Sequence, residues 1–498
     1  MSVRDTGFRS TTLIPYIPPI GAWALGIGCS IGWGSFVVTA NNYLSVAGPA
    51  GSIAGLCISA VLMLIISMNY HFLMKKHPSA GGLYTYAREN LGHGDGFLTM
   101  WFLALTYIAV FWANLTSLPL FARYFFGDAL CFGYLYTIFG YDVYLGEALL
   151  AVAALAVFGI ICSRSRVGLI RMMIGLSLLF TVVIIVCFIA AMIQHGESGH
   201  SFTPGMLRDA APLSQILHIA LISPWAFVGF ESISHSSEEF RFSPKKGFSI
   251  LAGVVIMTTV LYACIFLLSV SAYPLEYNTW PEYIADLENL SGLKALPAFY
   301  AAGHYMGETG IFLLALPLLA LVITNLIGNF LTLSRLLFAA GRDGTTPRRF
   351  ALLNRYHIPW RAILLICIAS VGIPFLGRTA VGWIVDVTPI GAAIIYGYVS
   401  CTAMRAARKE GPKKYAVSGL AGFILMTAGC VLLLVMNIIG ERQMAAESYI
   451  LFIAWAVLGF IVFHRAMRRE KNRGYGKNAV VWTALLSLVL GVSLIWMM

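Results

Sequence analysis

Two glycine-rich interruptions within long apolar segments decide the fold class of this chain. Residues 26–36 read GIGCSIGWGSF, and residues 223–232 read SPWAFVGFES. A helix in a lipid bilayer unwinds only where its free N–H and C=O groups line a cavity or are buried in protein, because hydrocarbon offers them no hydrogen bonds. Two interruptions at corresponding places indicate a substrate site between two repeats. The alternative is that these glycines only allow close packing of helices.

The composition is that of a polytopic helical membrane protein. Of the 498 residues, 59% are hydrophobic and 11% are charged, whereas roughly 25% of the residues of a soluble domain are charged. Apolar segments that can cross a bilayer recur at 21–43, 51–74, 97–126, 145–162, 170–193, 213–238, 248–272, 310–340, 362–376, 381–404, 416–439, 449–463 and 479–497. They predict about 12–13 transmembrane helices, although segment 362–376 is short for a full crossing.

The net charge of +11 is distributed by loop and does not form a nucleic-acid-binding stripe. Lys and Arg are concentrated in every second loop, and the intervening loops carry Asp and Glu. This alternation predicts that the N-terminus and the basic loops are cytoplasmic. We therefore expect a multi-pass protein of the plasma (inner) membrane, with the lipid bilayer and a small-molecule substrate as partners and no nucleic acid.

The nine cysteines and ten histidines do not indicate a metal centre or an enzyme. Most of the cysteines lie inside apolar segments, and they form neither a disulfide framework nor a ligand motif. The histidines lie mostly at segment ends or in loops, without the spacing of metal ligands. We therefore predict no cofactor and no catalytic residues.

The first interruption is suited to a carboxylate. Its glycines let the backbone open, and the half-helix that starts there directs N–H groups and a positive dipole end into the membrane centre. The preceding half-helix ends in free carbonyl groups, which suit an ammonium group. The candidate binding residues of this segment are Ser30, Ile31, Gly32, Trp33 and Gly34.

The second interruption adds carbonyl groups and an acid. Its candidate binding residues are Trp225, Phe227, Val228 and Gly229, with Trp225 either as a wall that stacks on the substrate or as a packing residue. Glu231 lies in the same segment, where an ionised carboxyl group is costly and protonation removes the cost. Glu231 is therefore either a proton carrier or a protonated structural carboxyl group hydrogen-bonded between helices.

Two further polar residues are candidates for the site. Asn114 lies in the middle of an apolar segment, where its amide needs partners from the substrate, from the broken segments or from a neighbouring helix. Asp386 either pairs with a cationic group of the substrate or lies hydrated near the membrane surface. An anion site beside an ammonium site matches the backbone end of an amino acid.

At these residues the chain resembles the amino acid–polyamine–organocation (APC) superfamily of transporters. Residues 28–36, GCSIGWGSF, are similar to the family's G-x-x-I-G-x-G-x-F signature. Residues 78–87 are similar to its first cytoplasmic loop, residues 227–231 to its sixth helix, and residues 334–344 to its eighth helix and the following loop. These motifs occur in the family's order within residues 20–415.

The resemblance implies an all-α polytopic fold with a five-plus-five inverted repeat and broken helices 1 and 6. The implied divisions are a cytoplasmic tail (1–20), inverted repeat 1 (21–193), inverted repeat 2 (213–404) and C-terminal helices (416–498). The implied function is secondary transport of amino acids or related amines by alternating access, as an exchanger or a proton symporter. A membrane nutrient sensor that binds substrate without transport is the alternative.

The resemblance also implies roles for the candidate residues. The backbone at 30–34 would hold the substrate carboxylate, and the carbonyl groups of Trp225 and Val228 would help to hold the amine. Asn114 and Trp225 match pocket-lining positions of cationic amino acid and amine exchangers. Glu231 matches their proton-linked acid.

Overall fold

The structure is a computed structural model that describes residues 12–138, 140–196, 200–207, 211–439 and 446–469. Within these ranges, ten helices are long and apolar enough to cross a membrane, and the shorter apolar helices are Pro19–Ser30 and Trp360–Phe375. The predicted all-α polytopic class is confirmed. The predicted segment 479–497 and residues 1–11 of the predicted tail lie outside the described residues.

The helices follow one another along the chain with short connections. They are α1 (Pro19–Ser30), α2 (Gly34–Thr39) with a π-helical continuation (Ala40–Leu44), α3 (Ser45–Lys76), α4 (Leu83–Asn90), α5 (His93–Leu115), α6 (Ser117–Phe126), α7 (Leu145–Arg164), α8 (Val167–His195), α9 (Pro212–Ile222), α10 (Ser232–His235), α11 (Gly247–Ser271), α12 (Trp280–Ala285), α13 (Pro297–Arg342), α14 (Trp360–Ser370), α15 (Gly377–Asp386), α16 (Thr388–Glu410), α17 (Lys413–Ile439) and α18 (Ala446–Arg469). Short 3₁₀ turns lie at Gly127–Leu130, Ser223–Phe227, Ser237–Glu239, Pro244–Lys246, Leu287–Asn289, Gly292–Ala295, Arg348–Ala351 and Ile373–Phe375. An antiparallel hairpin, β1 (Tyr134–Ile138) and β2 (Tyr141–Tyr144), precedes α7.

Two glycines with positive φ divide apparently continuous helices. Gly48 in α3 has φ +63° and is followed by Pro49, so the first membrane segment ends there and the second begins. Gly307 in α13 has φ +62°, which separates a short helical arm, 297–306, from the long membrane segment. Glycine suits both positions because it has no Cβ to oppose a positive φ.

The segment between α11 and α13 is more ordered than a surface loop. Trp280 and Tyr283 in α12 are completely buried, and the Tyr283 hydroxyl donates a hydrogen bond to the Lys294 carbonyl at 2.6 Å. Proline at the first helical position needs no N–H partner, so Pro297 can begin α13. The predicted membrane segment, 310–340, lies within the long part of α13 that follows Gly307.

The helix ends and loops gather at two opposite faces. On one, ion pairs join Lys76 to Glu410 at 3.8 Å and Arg342 to Glu238; we call this the basic face. On the other, which we call the acidic face, lie the β1–β2 hairpin and α12. Between the faces α13 packs against α1, α5, α8 and α11, so this long helix is the central support of the broken α1.

Candidate functional site

The two predicted interruptions are both present, and they touch each other. Helix α1 ends at Ser30 and α2 begins at Gly34, with Ile31 extended at φ −109° and ψ 124°. In the second break Gly229 has φ +109°, and a Cβ built on it would lie 2.5 Å from the Cys29 carbonyl oxygen. Only glycine allows the backbones of the two breaks to approach so closely.

Side-chain hydrogen bonds hold the first break in place. The Ser30 hydroxyl is 2.8 Å from the Gly26 carbonyl and 3.4 Å from the Phe227 carbonyl. The Asn325 side chain on α13 donates to the Cys29 carbonyl at 2.9 Å. The last turn of α1 is therefore anchored both to the second break and to the central helix.

The first break presents two amide groups to a ligand. The Trp33 N–H donates to the Asn114 side-chain oxygen at 3.0 Å, and the Gly32 carbonyl accepts from the Ser35 N–H at 3.0 Å and from its hydroxyl at 2.8 Å. Within the described ranges, the N–H groups of Gly32 and Gly34 have no acceptor. Unpaired N–H groups at the start of a helix form an anion site.

Asn114 and Trp225 lie directly against these glycines. A Cβ at Gly32 would lie 2.5 Å from the Asn114 side-chain oxygen, and a Cβ at Gly34 would lie 2.8 Å from the Trp225 ring. The structure therefore brings both predicted side chains to the first break. Asn114 is an intramolecular partner of the Trp33 amide, which is one of the roles that the sequence left open.

Aromatic pairs cover the first break toward the acidic face. The rings of Trp33 and Tyr124 are 6.0 Å apart, and those of Phe36 and Phe299 are 5.7 Å apart. Trp33 is buried. Its ring thus belongs to the cover of the site, together with the start of α13.

The second break leaves fewer carbonyl groups free than the sequence predicts. The Trp225 carbonyl accepts from the Val228 N–H, and the Phe227 carbonyl accepts from the Phe230 N–H, both at 3.1 Å. Among the residues described, the Val228 carbonyl accepts no hydrogen bond. Of the two predicted ammonium partners, Val228 is therefore the better placed.

Glu231 connects the second break to two other helices. Its carboxyl group is buried, with 1% of the residue exposed. One carboxyl oxygen accepts from the Tyr107 hydroxyl on α5, and the other accepts from the Gly229 N–H and the Tyr396 hydroxyl on α16, each at 3.0 Å. The hydroxyls can rotate to accept a proton from the acid form, so the site accommodates either protonation state.

The two tyrosines were missed by the sequence analysis. A tyrosine in an apolar segment usually finds a hydrogen-bond partner for its hydroxyl, so Tyr107 and Tyr396 carried a signal. That signal does not name the partner, because Tyr107 is 124 residues and Tyr396 is 165 residues from Glu231 along the chain.

Asp386 lies beside the C-terminal helix α18. It is the last residue of α15, it is exposed, and it accepts a hydrogen bond from the Ser448 hydroxyl on α18 at 3.3 Å. Its exposure agrees with the hydrated alternative, and its assignment as a substrate-binding residue stays a prediction.

An ion pair and several hydrogen bonds lie between the second break and the basic face. The Glu239 carboxylate, 0% exposed, pairs with the Arg335 guanidinium at 3.0 and 3.1 Å. The Glu239 carbonyl accepts from the N–H groups of Tyr16 and Ile17 at 2.8 and 2.9 Å. The Ser79 N–H donates to the Ser237 hydroxyl at 2.9 Å, and that hydroxyl donates to the Ser79 carbonyl at 3.0 Å. These contacts separate the breaks from the basic face.

Comparison with known proteins identifies the kind of protein that carries this site. Similar proteins include the methylthioribose transporter of Bacillus subtilis (strain 168), 24% identical over 483 residues, which are 93% of this chain and 95% of that protein. The L-lysine transport protein of Corynebacterium glutamicum is 27% identical over 351 residues, 69% of this chain and 64% of that protein. The arginine/ornithine antiporter of Pseudomonas aeruginosa is 26% identical over 363 residues, 69% and 68% of the two chains.

The relatives are transporters, which confirms the prediction that the chain is not an enzyme. A family described as "Amino acid permease" matches residues 19–463, from the start of α1 to α18. The match therefore includes both broken helices and all of their supports. The chain belongs to this amino acid permease family.

Proposed function

We propose that this chain moves amino acids or related amines across the plasma (inner) membrane by alternating access, and that substrate binds where the two breaks meet. The observation that carries the proposal is the set of unpaired backbone groups there. The N–H groups of Gly32 and Gly34 can donate to a carboxylate, and the carbonyl of Val228 can accept from an ammonium group. The positive dipole end of the half-helix α2 adds to the attraction for the carboxylate.

The walls of the site would select the substrate side chain. The Trp225 ring lies across Gly34 and would contact the aliphatic or aromatic part of a side chain. Asn114 would act by fixing the Trp33 amide, so that the neighbouring amides stay directed into the site. Ser30 would act in the same way on the second break, through its 3.4 Å contact with the Phe227 carbonyl.

The proposed mechanism uses two repeats, residues 21–193 and 213–404. The broken helices are the first of each repeat, and the substrate would lie between them. The basic face would be cytoplasmic by the positive-inside rule. Release to the cytoplasm would then require the Glu239–Arg335 pair and the Ser79–Ser237 contacts to open.

Glu231 would couple transport to a proton. Its donors come from α5 in the first proposed repeat and from α16 in the second, so a change in its protonation alters bonds between the halves. A proton shifts the equilibrium between two conformations only if it binds them with different affinity. Separation of the halves would change these bonds and so supply that difference, which suits proton symport and is compatible with exchange.

A second candidate function is the transport of an uncharged solute. The methylthioribose transporter matches 93% of this chain, and a methylthio sugar has neither a carboxylate nor an amine. Such a solute would use the same amides as donors to its hydroxyl oxygens. The full-length match favours this candidate, and the unpaired donors beside an unpaired acceptor favour the amino acid.

Competition for uptake into proteoliposomes distinguishes the two. The panel contains lysine, a neutral branched amino acid, its amide, its deaminated acid and methylthioribose. We expect the intact amino acids to compete best, and each truncated analogue to lose at least about tenfold in affinity, as expected for one hydrogen bond to a charged group. Methylthioribose as the best competitor, with the amide equal to the amino acid, would instead establish the second candidate.

Variants test whether the competing substrates bind at the first break. Gly32→Ala would place a methyl group 2.5 Å from the Asn114 oxygen and is expected to abolish binding. The matched control is Gly175→Ala in α8, where an added Cβ meets no atom within 4 Å. Normal uptake by the Gly32 variant would remove the first break as the binding site.

A further inference from the structure

One cation on the acidic face has no carboxylate partner. In the part of the chain that the structure describes, this face carries Arg123, Lys294 and Arg378. Arg123 pairs with Glu147, and Lys294 pairs with Glu276 at 2.6 Å. Arg378 donates only to neutral acceptors, the Ala113 carbonyl and the Thr116 hydroxyl, both at 3.2 Å.

The remaining donors of Arg378 are available to a ligand. Both of these bonds use one terminal nitrogen, Nη1, which leaves the N–H groups of Nε and Nη2. The residue is only partly exposed. A largely desolvated guanidinium is costly unless an anion pairs with it, so this environment favours an anionic ligand.

Arg378 lines a small pocket that is open to solvent, which we call the Arg378 cavity; its empty space of about 330 Å³ includes the open solvent at its mouth. Its walls include Thr116, Pro119, Tyr141, Tyr144 and Glu147. Both carboxyl oxygens of Glu147 are occupied by Arg123, so the cavity has one cation whose charge is not balanced. Arg378 also lies in the first turn of α15, where the positive end of the helix dipole adds to its charge.

The Arg378 cavity adjoins the cover of the first break. The acceptors of Arg378, Ala113 and Thr116, flank Asn114, which holds the Trp33 amide. Asn114 follows Ala113 directly in α5, and the ring of Trp33, whose N–H Asn114 holds, lies 6.0 Å from that of Tyr124. An anion bound by Arg378 would therefore lie beside the aromatic cover of the proposed substrate site.

We propose that the Arg378 cavity is a second, peripheral site that binds the carboxylate of a small organic anion. The planar fork of a guanidinium matches the two oxygens of a carboxylate, and the tyrosines provide walls for the rest of the molecule. The ligand is the carboxylate of an amino acid that approaches from the acidic face. This last assignment rests on the proposed function.

The test uses the purified full-length protein in detergent and its thermal unfolding midpoint. At constant ionic strength, sodium acetate progressively replaces the sodium salt of a sulfonate buffer whose anion is too large for the cavity. In a parallel series, sodium chloride replaces the same sulfonate salt. Acetate is expected to raise the midpoint until it saturates, since a ligand that binds only the folded state stabilises it. Arg378→Gln is expected to remove the response, and Arg378→Lys to require at least about tenfold more acetate, because it loses the bidentate geometry.

Lys294→Gln is the matched control, because Lys294 is an acidic-face cation with a carboxylate partner, and it is expected to keep the response. A glycine titration in the Gly32→Ala background isolates the peripheral site from the central one, and glycine is expected to stabilise this variant through Arg378. An unchanged acetate response in Arg378→Gln would overturn the proposal, as would a response to chloride alone. Absence of amino acid uptake would count only against the proposed function, because the acetate response does not depend on transport.

Discussion

Removing the hydroxyl groups around Glu231 is expected to change the pH dependence of transport. Tyr107→Phe and Tyr396→Phe each delete one 3.0 Å hydrogen bond to the carboxyl group while keeping the ring. Tyr70→Phe is the matched control. The Tyr70 ring packs edge-on against Phe230 at 5.8 Å, and its buried hydroxyl has no hydrogen-bond partner among the described residues.

The size of the effect depends on the charge that the hydroxyl groups stabilise. A hydrogen bond to an ionised group contributes about 1.5–3 kcal/mol, and one between neutral groups about 0.5–1.5 kcal/mol. The difference of about 1 kcal/mol favours the ionised form of Glu231, and one pH unit corresponds to 1.36 kcal/mol. Each tyrosine variant is therefore expected to move the midpoint of the transport–pH profile upward by about one unit. The double variant should move it further, although not additively, because both bonds belong to one network.

The assay is uptake into proteoliposomes at constant membrane potential, from about pH 5 to pH 8. Glu231→Gln, which resembles the protonated acid, is expected to bind substrate and to lose the pH dependence. Tyr70→Phe should retain the wild-type profile. A profile in Glu231→Gln that matches the wild type, or equal shifts in all three tyrosine variants, would refute the assignment of the coupling proton to Glu231.

Three further outcomes are expected. Gly229→Ala, with φ +109° and the Cys29 carbonyl 2.5 Å from the added Cβ, should lower the free energy of unfolding by at least about 1–3 kcal/mol, and an unchanged denaturation midpoint would contradict this. Arg335→Met leaves the buried Glu239 carboxylate without its partner and should lower the free energy of unfolding by about 3–5 kcal/mol. The double variant Arg335→Met/Glu239→Leu should recover a large part of this loss, and equal losses in the single and double variants would contradict the pairing. Burial first, and then neighbouring histidines, lower the pKa of His200 from its usual value of 6.5. The contribution of neutral His200 to the stability of the fold is therefore complete above pH 6.5 and is lost as the pH falls through the lowered pKa. Amide exchange at 200–207, corrected for intrinsic rates, should accelerate between about pH 7 and pH 5 in the wild type but not in a His200→Gln variant.

The breaks could be predicted from sequence because their signal is local. Glycines grouped within an apolar run identify a backbone that departs from a helix, and an acid at membrane depth identifies a carboxyl group with a specific role. Gly32, Gly34, Gly229 and Glu231 were found by these two criteria. Their neighbours on other helices were not, because a pair such as Glu231 and Tyr396 is formed only when the helices pack.

Positions near the membrane surface were harder to predict. The sequence left Asp386 as a possible substrate ligand because an acid inside an apolar segment has the same appearance at any depth, and its hydrogen bond from Ser448 on α18 forms only when the helices pack. The arm 297–306 lies outside the predicted segments, and Gly307 interrupts the helix between this arm and the membrane segment. Arg378 could not be identified as a candidate from the sequence. A single arginine between two apolar segments is informative only when the structure shows that no carboxylate pairs with it.

The second break and the closed basic face belong to one short structural unit. Glu231 precedes α10, which has only four residues, and the turn Ser237–Glu239 follows directly. Eight positions thus separate the carboxyl group that bonds to Tyr107 and Tyr396 from the one that pairs with Arg335. Because the connection is so short, we expect a displacement at Glu239 to be transmitted to Glu231. Opening of the Glu239–Arg335 pair by such a displacement would then disturb the bonds of the Glu231 carboxyl group to its tyrosines, which would link the proposed proton site to release at the basic face.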